Sequence, residues 1–383
     1  EQAIASYDRA LEIKPDDHDA WNNRGIALAN LGRFEQAIAS FDKALEFKPD
    51  DHQAWYNRGV ALDDLGRFEE AIASYDKALE IKPDYHKAWN NRGIALGNLG
   101  RFEQAIASYD RALEIKPDYH EAWYNRGVAL GNLGRLEEAI ASYDRALEFK
   151  PDVHEAWYNR GVALGNLGRL EEALASFDRA LEIKPDDPEA WYNRGVALAD
   201  LGRFAEALAS FDKALEIKPD DHQAWYNRGV ALADLGRFAE ALASFDKALE
   251  IKPDDHQAWY NRGSALDDLG RFEEAIASYD RALEIKPDDP YAWDNRGYVL
   301  TCMGRYKDAL ESCDRAIKIN PNDANPYYNK AVCYGLQNNV ELAIENLQRA
   351  INLDVEYQDM AKTDKDFEQI RGDERFQSFL NRV

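Results

Sequence analysis

Cysteine is nearly missing from this sequence. Three occur in 383 residues, Cys302, Cys313 and Cys333. They fit neither a disulfide framework nor paired metal-ligand spacing. Buried, reduced thiols are expected, and with them a reducing, cytoplasmic setting. Long apolar runs are also missing. None approaches the length that spans a bilayer and no signal peptide is visible, so no membrane partner is expected. Positive charge is scarce: 47 Lys and Arg stand against 71 Asp and Glu, for a formal net charge of −24. Such a surface repels phosphate backbones, which argues against nucleic acid, and attracts cationic partners at long range. A hydrophobic share of 45% and 9 Trp separate the chain from disordered acidic tails.

Motifs that carry chemistry are absent too. The chain has no G-x-x-x-x-G-K-[ST], no H-E-x-x-H and no G-x-S-x-G. His120-Glu121 and His154-Glu155 lack a second His one turn on. The histidines recur singly at one repeat position. Stacked helices would hold them about 8–10 Å apart, too far for one metal at ~2 Å from each ligand. Gly127, Gly131 and Gly134 resemble a phosphate loop in spacing, but no strand precedes them. Asp63-Asp64 and Asp267-Asp268 read as solvated carboxylates at a helix end. The sequence therefore predicts no enzyme, no metal and no cofactor.

What is present is a period. Trp55-Tyr56-Asn57-Arg58-Gly59 returns nearly unchanged every 34 residues, as at Trp123–Gly127 and Trp225–Gly229. Residues 1–17 read as the second half of a repeat. Ten repeats fill residues 18–355, starting at His18, His52, His86, His120, His154, Pro188, His222, His256, Pro290 and Ala324. Residues 356–383 break the pattern. Within the repeat from His52, Trp55, Gly59 and Leu62 share one helical face. Leu65-Gly66-Arg67 makes a turn. Phe68, Ala71, Ile72, Tyr75, Ala78 and Leu79 form the stripe of a second helix, which ends at Lys82-Pro83. One such pair cannot bury its stripe alone, but a stack of pairs can.

These residues resemble the tetratricopeptide repeat (TPR) family, whose pattern runs Trp, Leu, Gly, Tyr, then Ala, Phe, Ala, Pro. Trp55, Gly59, Ala71, Tyr75, Ala78 and Pro83 match in kind, with Arg58 and Leu62 as departures. The resemblance implies an all-α, right-handed solenoid superhelix with a C-terminal capping segment over 356–383. There Tyr357, Met360, Phe367, Ile370, Phe376, Phe379 and Leu380 would cover the last apolar surface.

Arg58 recurs through Arg24 and Arg296, and the second helix carries Asp42, Asp76 and their successors at a constant offset. A partly buried Arg needs a partner, so a repeated Arg–Asp bridge is expected. In the tenth repeat both members change, to Lys330 and Gln348.

The remaining face of the first helix holds Gln53, Asn57, Val60 and Asp64. Asn recurs in every full repeat, including Asn57, Asn91, Asn125, Asn159, Asn193, Asn227 and Asn261. An amide donates and accepts together, so it can satisfy a peptide bond whatever the side chain. A repeat spacing of ~10 Å matches about three residues of extended chain. Tyr124, Tyr158, Tyr192 and Tyr226 stand beside the ladder, and Asp200 and Asp234 lie further along the helix. The resemblance places this face in the concave groove where ligands of the family lie. Family members that grip acidic peptides use Lys and Arg there, whereas this chain offers Tyr, Asn and Asp. The expected function is a protein-interaction scaffold for an extended, basic peptide segment.

Two further expectations concern the ends. The chain opens mid-repeat at Glu1, which points to sequence upstream. The array would then be the sensor or substrate-recruiting arm of a larger enzyme or signalling protein. The apolar stripe of residues 3–13 would allow end-to-end self-association.

Overall fold

The structure is a computed structural model and describes residues 1–382. Among the described residues it holds 23 α-helices, one 3-10 turn and no strand. Consecutive helices pack as antiparallel pairs, the all-α solenoid class read from the sequence. The chain divides into two compact units, Glu1–Ala197 and Leu198–Val383.

In the first unit, the pair His52–Asp64 and Phe68–Ile81 shows how the sequence builds a repeat. Asp51 starts the first helix by accepting the N–H groups of Gln53 and Ala54 at 3.0 and 3.3 Å. Gly66 ends it with φ 72, and the Arg67 N–H returns to the Leu62 carbonyl at 2.9 Å. That left-handed step is strained for most side chains and free for glycine. The second helix ends before Pro83, whose carbonyl accepts the Trp89 indole N–H at 2.9 Å. The tryptophan thus ties the connection down.

Close approach of the two helices needs a residue without a side chain. A Cβ on Gly59 would lie 2.6 Å from the Tyr75 ring. Around this contact Ala61, Leu62, Ala71 and Ala78 are almost fully buried. Each such leucine contributes about 2 kcal/mol of apolar burial. The first helix packs most extensively on the second helix of its own repeat, and next on the second helix of the preceding repeat. Of the stripe at residues 3–13, Ile4 and Leu11 are buried against the following helix. Ile13 is 87% exposed.

The second unit repeats this plan, with Gly229 against Phe245. Its last pair, Asn325–Leu336 and Val340–Leu353, departs from it. Asn338 takes the left-handed turn at φ 55, a conformation Asn tolerates better than most residues. Tyr327 replaces tryptophan and still donates to the Pro321 carbonyl. Cys313 and Cys333 are buried, but Cys302 is exposed. The expectation of three buried thiols fails there because Cys302 sits on the last turn of its helix, Pro290–Cys302. The helices Glu356–Thr363 and Glu374–Arg382 follow. Phe367, Ile370 and Phe376 pack into one cluster with Tyr328, Val332 and Leu347, whereas Met360 is half-exposed.

Candidate functional site

Two networks of hydrogen bonds join successive repeats. In the first, Arg58 Nε donates to Asp42 Oδ1 at 2.7 Å, and its Nη1 donates to Ser74 Oγ at 2.7 Å. Asp42 lies in the second helix of the preceding repeat, and Ser74 in the second helix of its own. One guanidinium therefore fastens three helices, with the Trp55 ring 5.8 Å away. The same pair of bonds forms at Arg92, Arg126 and Arg160 in the first unit. It recurs at Arg228, Arg262 and Arg296 in the second. The predicted bridge exists, and it runs between repeats.

The reading of the tenth repeat needs correction. Lys330 bonds Asp314 of the preceding repeat at 2.7 Å, so Gln348 is not its lost partner. Gln348 instead donates to Asn352. Ser40, Ser74 and Ser108, at most 1% exposed, were missed as partners of the arginine. A serine held at one place in an alanine-rich stripe was their signal.

The second network is the asparagine ladder. Asn91 Nδ2 donates to the Tyr56 hydroxyl at 3.0 Å, Asn159 to Tyr124 at 3.1 Å and Asn193 to Tyr158 at 3.0 Å. Asn57 donates to Asn22 Oδ1 and Asn125 to Asn90 Oδ1, both at 3.1 Å. In the second unit Asn261 bonds Tyr226 at 2.8 Å and Asn295 bonds Tyr260 at 2.9 Å. Each bond reaches the preceding repeat, so the ladder braces the stack. The donor asparagines are half-buried, whereas Asn22 and Asn90 are buried. Tyr192 and Asn227 occupy the same positions on the helices Pro188–Asp200 and His222–Asp234. Burial pushes the phenols of Tyr124, Tyr158 and Tyr226 up, so they stay neutral near pH 7.

The brace leaves part of several amides unused. The carboxamide oxygens of Asn57, Asn125, Asn159 and Asn261 accept no hydrogen bond from the described residues. Beside the Tyr226–Asn261 bond opens a cavity of about 390 Å³, also lined by His256, Tyr260, Asp289 and Tyr291.

Charge separates this face from the rest. Asp64, Asp200, Asp234 and Asp268 are exposed. None of them forms an ion pair within the described residues. On second helices, by contrast, acids pair with a cation three residues away, as in Arg67–Glu70 at 2.6 Å and Lys77–Glu80 at 2.7 Å.

Asp63 and Asp267 overturn the reading of solvated carboxylates. Both are half-buried, and Asp63 Oδ1 is fully buried without a hydrogen-bond partner. Burial, then the neighbouring Asp64 or Asp268 charge, pushes each up to about 6. Asp294 replaces the ladder-side tyrosine and accepts from Asn329 at 2.8 Å. Burial pushes it up to about 7.

Asp17, His18 and Asp19 form the one grouping among the described residues with three metal-ligating atoms close together. Asp17 there caps a helix by accepting the Ala20 N–H at 3.1 Å. Among the described residues no helix is long and apolar enough to cross a membrane.

The tetratricopeptide repeat family matches residues 30–86, 90–154, 132–188, 158–222, 192–256 and 226–290. Further matches of the same description cover residues 1–54, 290–323 and 312–345. No curated protein matches the chain. Among solved structures, YrrB, a TPR protein with an unusual peptide-binding site, is 31% identical over 48% of this chain and 95% of its own, with a TM-score of 0.45. MamA from Desulfovibrio magneticus RS-1 is 26% identical over 44% and 95%, with a TM-score of 0.43. A tetratricopeptide repeat protein from Parabacteroides merdae is 21% identical over 61% and 93%, with a TM-score of 0.47. Stacked helix pairs, a glycine turn in nine of the ten full repeats and family matches through most of its length lead to one conclusion: the chain belongs to the tetratricopeptide repeat family.

Proposed function

We propose that the chain is a non-catalytic scaffold that holds an extended, basic segment of a protein partner along the asparagine ladder. Proteins of this family act as protein-interaction scaffolds, which supplies the coarse part of the reading. The observation that carries the finer part is the half-used amide. Asn57, Asn125, Asn159 and Asn261 are each fixed by one bond to the preceding repeat, while the oxygen remains for a peptide N–H. An acceptor already held in one rotamer loses little entropy on binding. Unpaired Asp64, Asp200 and Asp234 add a negative field along the same helices, which favours Lys and Arg. The tyrosines supply broad, stiff contact area. The reading needs no metal, cofactor or nucleic acid, and it assigns the chain to the cytoplasm.

The test compares two variants with the parent in a pull-down followed by titration with the captured segment. One changes Asn125, Asn159, Asn193 and Asn227 to Ala. The other changes Tyr124 and Tyr158 to Phe, which cuts the brace and keeps the amides. Circular dichroism checks that all three are equally helical. Binding lost in the first and largely kept in the second supports the ladder as the contact. Equal binding by all three contradicts it.

A further inference from the structure

One place on the first helix changes character from repeat to repeat, occupied by Asp63, Gly97, Gly131, Ala233 and Asp267. It borders a pocket beside the ladder. With Gly97 there, a cavity of about 450 Å³ opens, lined by Ile94, Tyr109, Asn125, Val128 and Asn132. The equivalent place in the second unit has Ala233, Phe245 and Asn261, and the cavity falls to about 150 Å³. A Cβ on Gly97 would meet nothing within 4 Å, and one on Gly131 would lie 3.9 Å from the Tyr143 hydroxyl. The position therefore looks onto the far end of the second-helix ring.

Where Asp stands there, polar groups are left over. Tyr75 and Tyr279 are 0% exposed, and their hydroxyls make no well-formed hydrogen bond, with only a weak approach from the Asn91 and Asn295 side chains. Asp63 Oδ1 has no hydrogen-bond partner. Leaving such groups unpaired costs about 1–3 kcal/mol each. The phenol is also dispensable for packing, because Phe41, Phe177, Phe211 and Phe245 fill the same place elsewhere. In this chain Asp at the position always faces Tyr, in Asp63–Tyr75 and in Asp267–Tyr279. The two polar groups are set up together, once in each unit.

We propose that this pocket is the specificity-determining subsite of the bound segment, its Asp63–Tyr75 and Asp267–Tyr279 forms each taking a lysine ammonium and its Gly97 form an uncharged side chain. The inference rests on the ladder reading above. An ammonium is compact and brings three donors. Facing them are the half-buried Asp63 carboxylate and the exposed Asp64, with the buried Tyr75 hydroxyl close to Asp63. A hard metal ion would want six or more oxygen ligands, and no third ligating side chain joins Asp63 and Asp64 at close range. Burial and the Asp64 charge hold the Asp63 carboxyl up to about 6, the behaviour of an acid short of positive charge.

The test uses fluorescence anisotropy with two labelled peptides of about twelve Gly and Ser residues, long enough for roughly four repeats. One carries a central Lys and the other Nε-acetyl-lysine. The parent should bind the Lys peptide about ten-fold tighter, ~1.4 kcal/mol. Asp63→Gly with Asp267→Gly should lower that ratio towards one while leaving the acetyl-lysine peptide unaffected. Adding Gly97→Asp should restore it. Tyr75→Phe with Tyr279→Phe changes no charge and should still reduce the ratio. Equal binding of both peptides by the parent overturns the subsite and leaves the ladder reading standing. Binding of neither overturns both. A ratio that survives the two Asp→Gly changes, or that millimolar calcium abolishes, also overturns the assignment.

Discussion

Within each unit both networks join successive repeats, yet they differ in kind. The arginine staple has one donor and unchanging acceptors, and it leaves little unsatisfied: Asp42 and Ser74 at Arg58, Asp110 and Ser142 at Arg126. The asparagine ladder keeps its donor and changes its acceptor, from Asn22 to Tyr56 to Asn90 to Tyr124 to Asp294. The amide oxygens of Asn57, Asn125, Asn159 and Asn261 remain open. Beside it a pocket changes size and charge with one residue. The closed network holds the array together, and the open one can hold something else. Uniform side chains therefore mark support here, and varied ones mark recognition.

The sharpest way to break both at once is Gly127→Ala. Its Cβ would lie 2.5 Å from the Tyr143 ring, forcing the two helices apart. The expected loss is about 3 kcal/mol, seen as a lower urea midpoint. Arg126→Ala cuts only the staple, freeing Asp110 and leaving the buried Ser142 with only its bond to the Glu138 carbonyl. It should cost about 2 kcal/mol and leave peptide binding unchanged away from that repeat. Asn125→Ala reverses the pattern. It removes one neutral bond and should cost about 1 kcal/mol, while weakening peptide binding measurably. A larger loss of stability from Asn125→Ala than from Arg126→Ala would undo the distinction between the networks.

Tyr75→Phe is expected to gain up to about 1 kcal/mol by deleting a buried hydroxyl that makes no well-formed hydrogen bond. Thermal denaturation at neutral pH reads it directly. The smallest effect concerns pH. Burial raises Asp294 from 3.8 to about 7. Between those values the folded chain holds more protons than the unfolded one, so this group's contribution to stability falls as pH rises. Asp294→Asn should remove that slope while keeping the bond from Asn329, as Asn90 does for Asn125. Urea midpoints at pH 5 and pH 8 would converge for the variant relative to the parent; an unchanged difference would rule out Asp294 as the cause.

Much of this was legible because a 34-residue period exposes each constraint many times over. The helix pair, the Gly66 turn, the Asp51 cap and an Arg–Asp bridge follow from residue chemistry at fixed spacing. The direction of the bridge did not. Arg58 lies 16 residues after Asp42 and 18 before Asp76, and both offsets recur in the first nine full repeats. Only the depth at which helices stack selects the earlier partner. The same limit hid the Asn91–Tyr56 bond, which joins residues 35 apart. Asp63 was misread because its burial depends on the next repeat covering a helix end that is polar in sequence. The face that carries the ladder was readable as a stripe, but the partner each asparagine braces against was not, since it is set by the neighbour.

The most direct test of the central claim is photo-crosslinking with mass spectrometric mapping. A lysine-bearing extended peptide with a photoreactive residue would be bound and irradiated. Near-identical repeats blur which repeat is labelled, but they do not blur which face. Labels concentrated on the first helices, at the Asn57, Tyr124 and Asp234 positions and their equivalents, are predicted. Labels concentrated on second-helix surfaces, around Lys77 and Glu80 and their equivalents, would contradict the account.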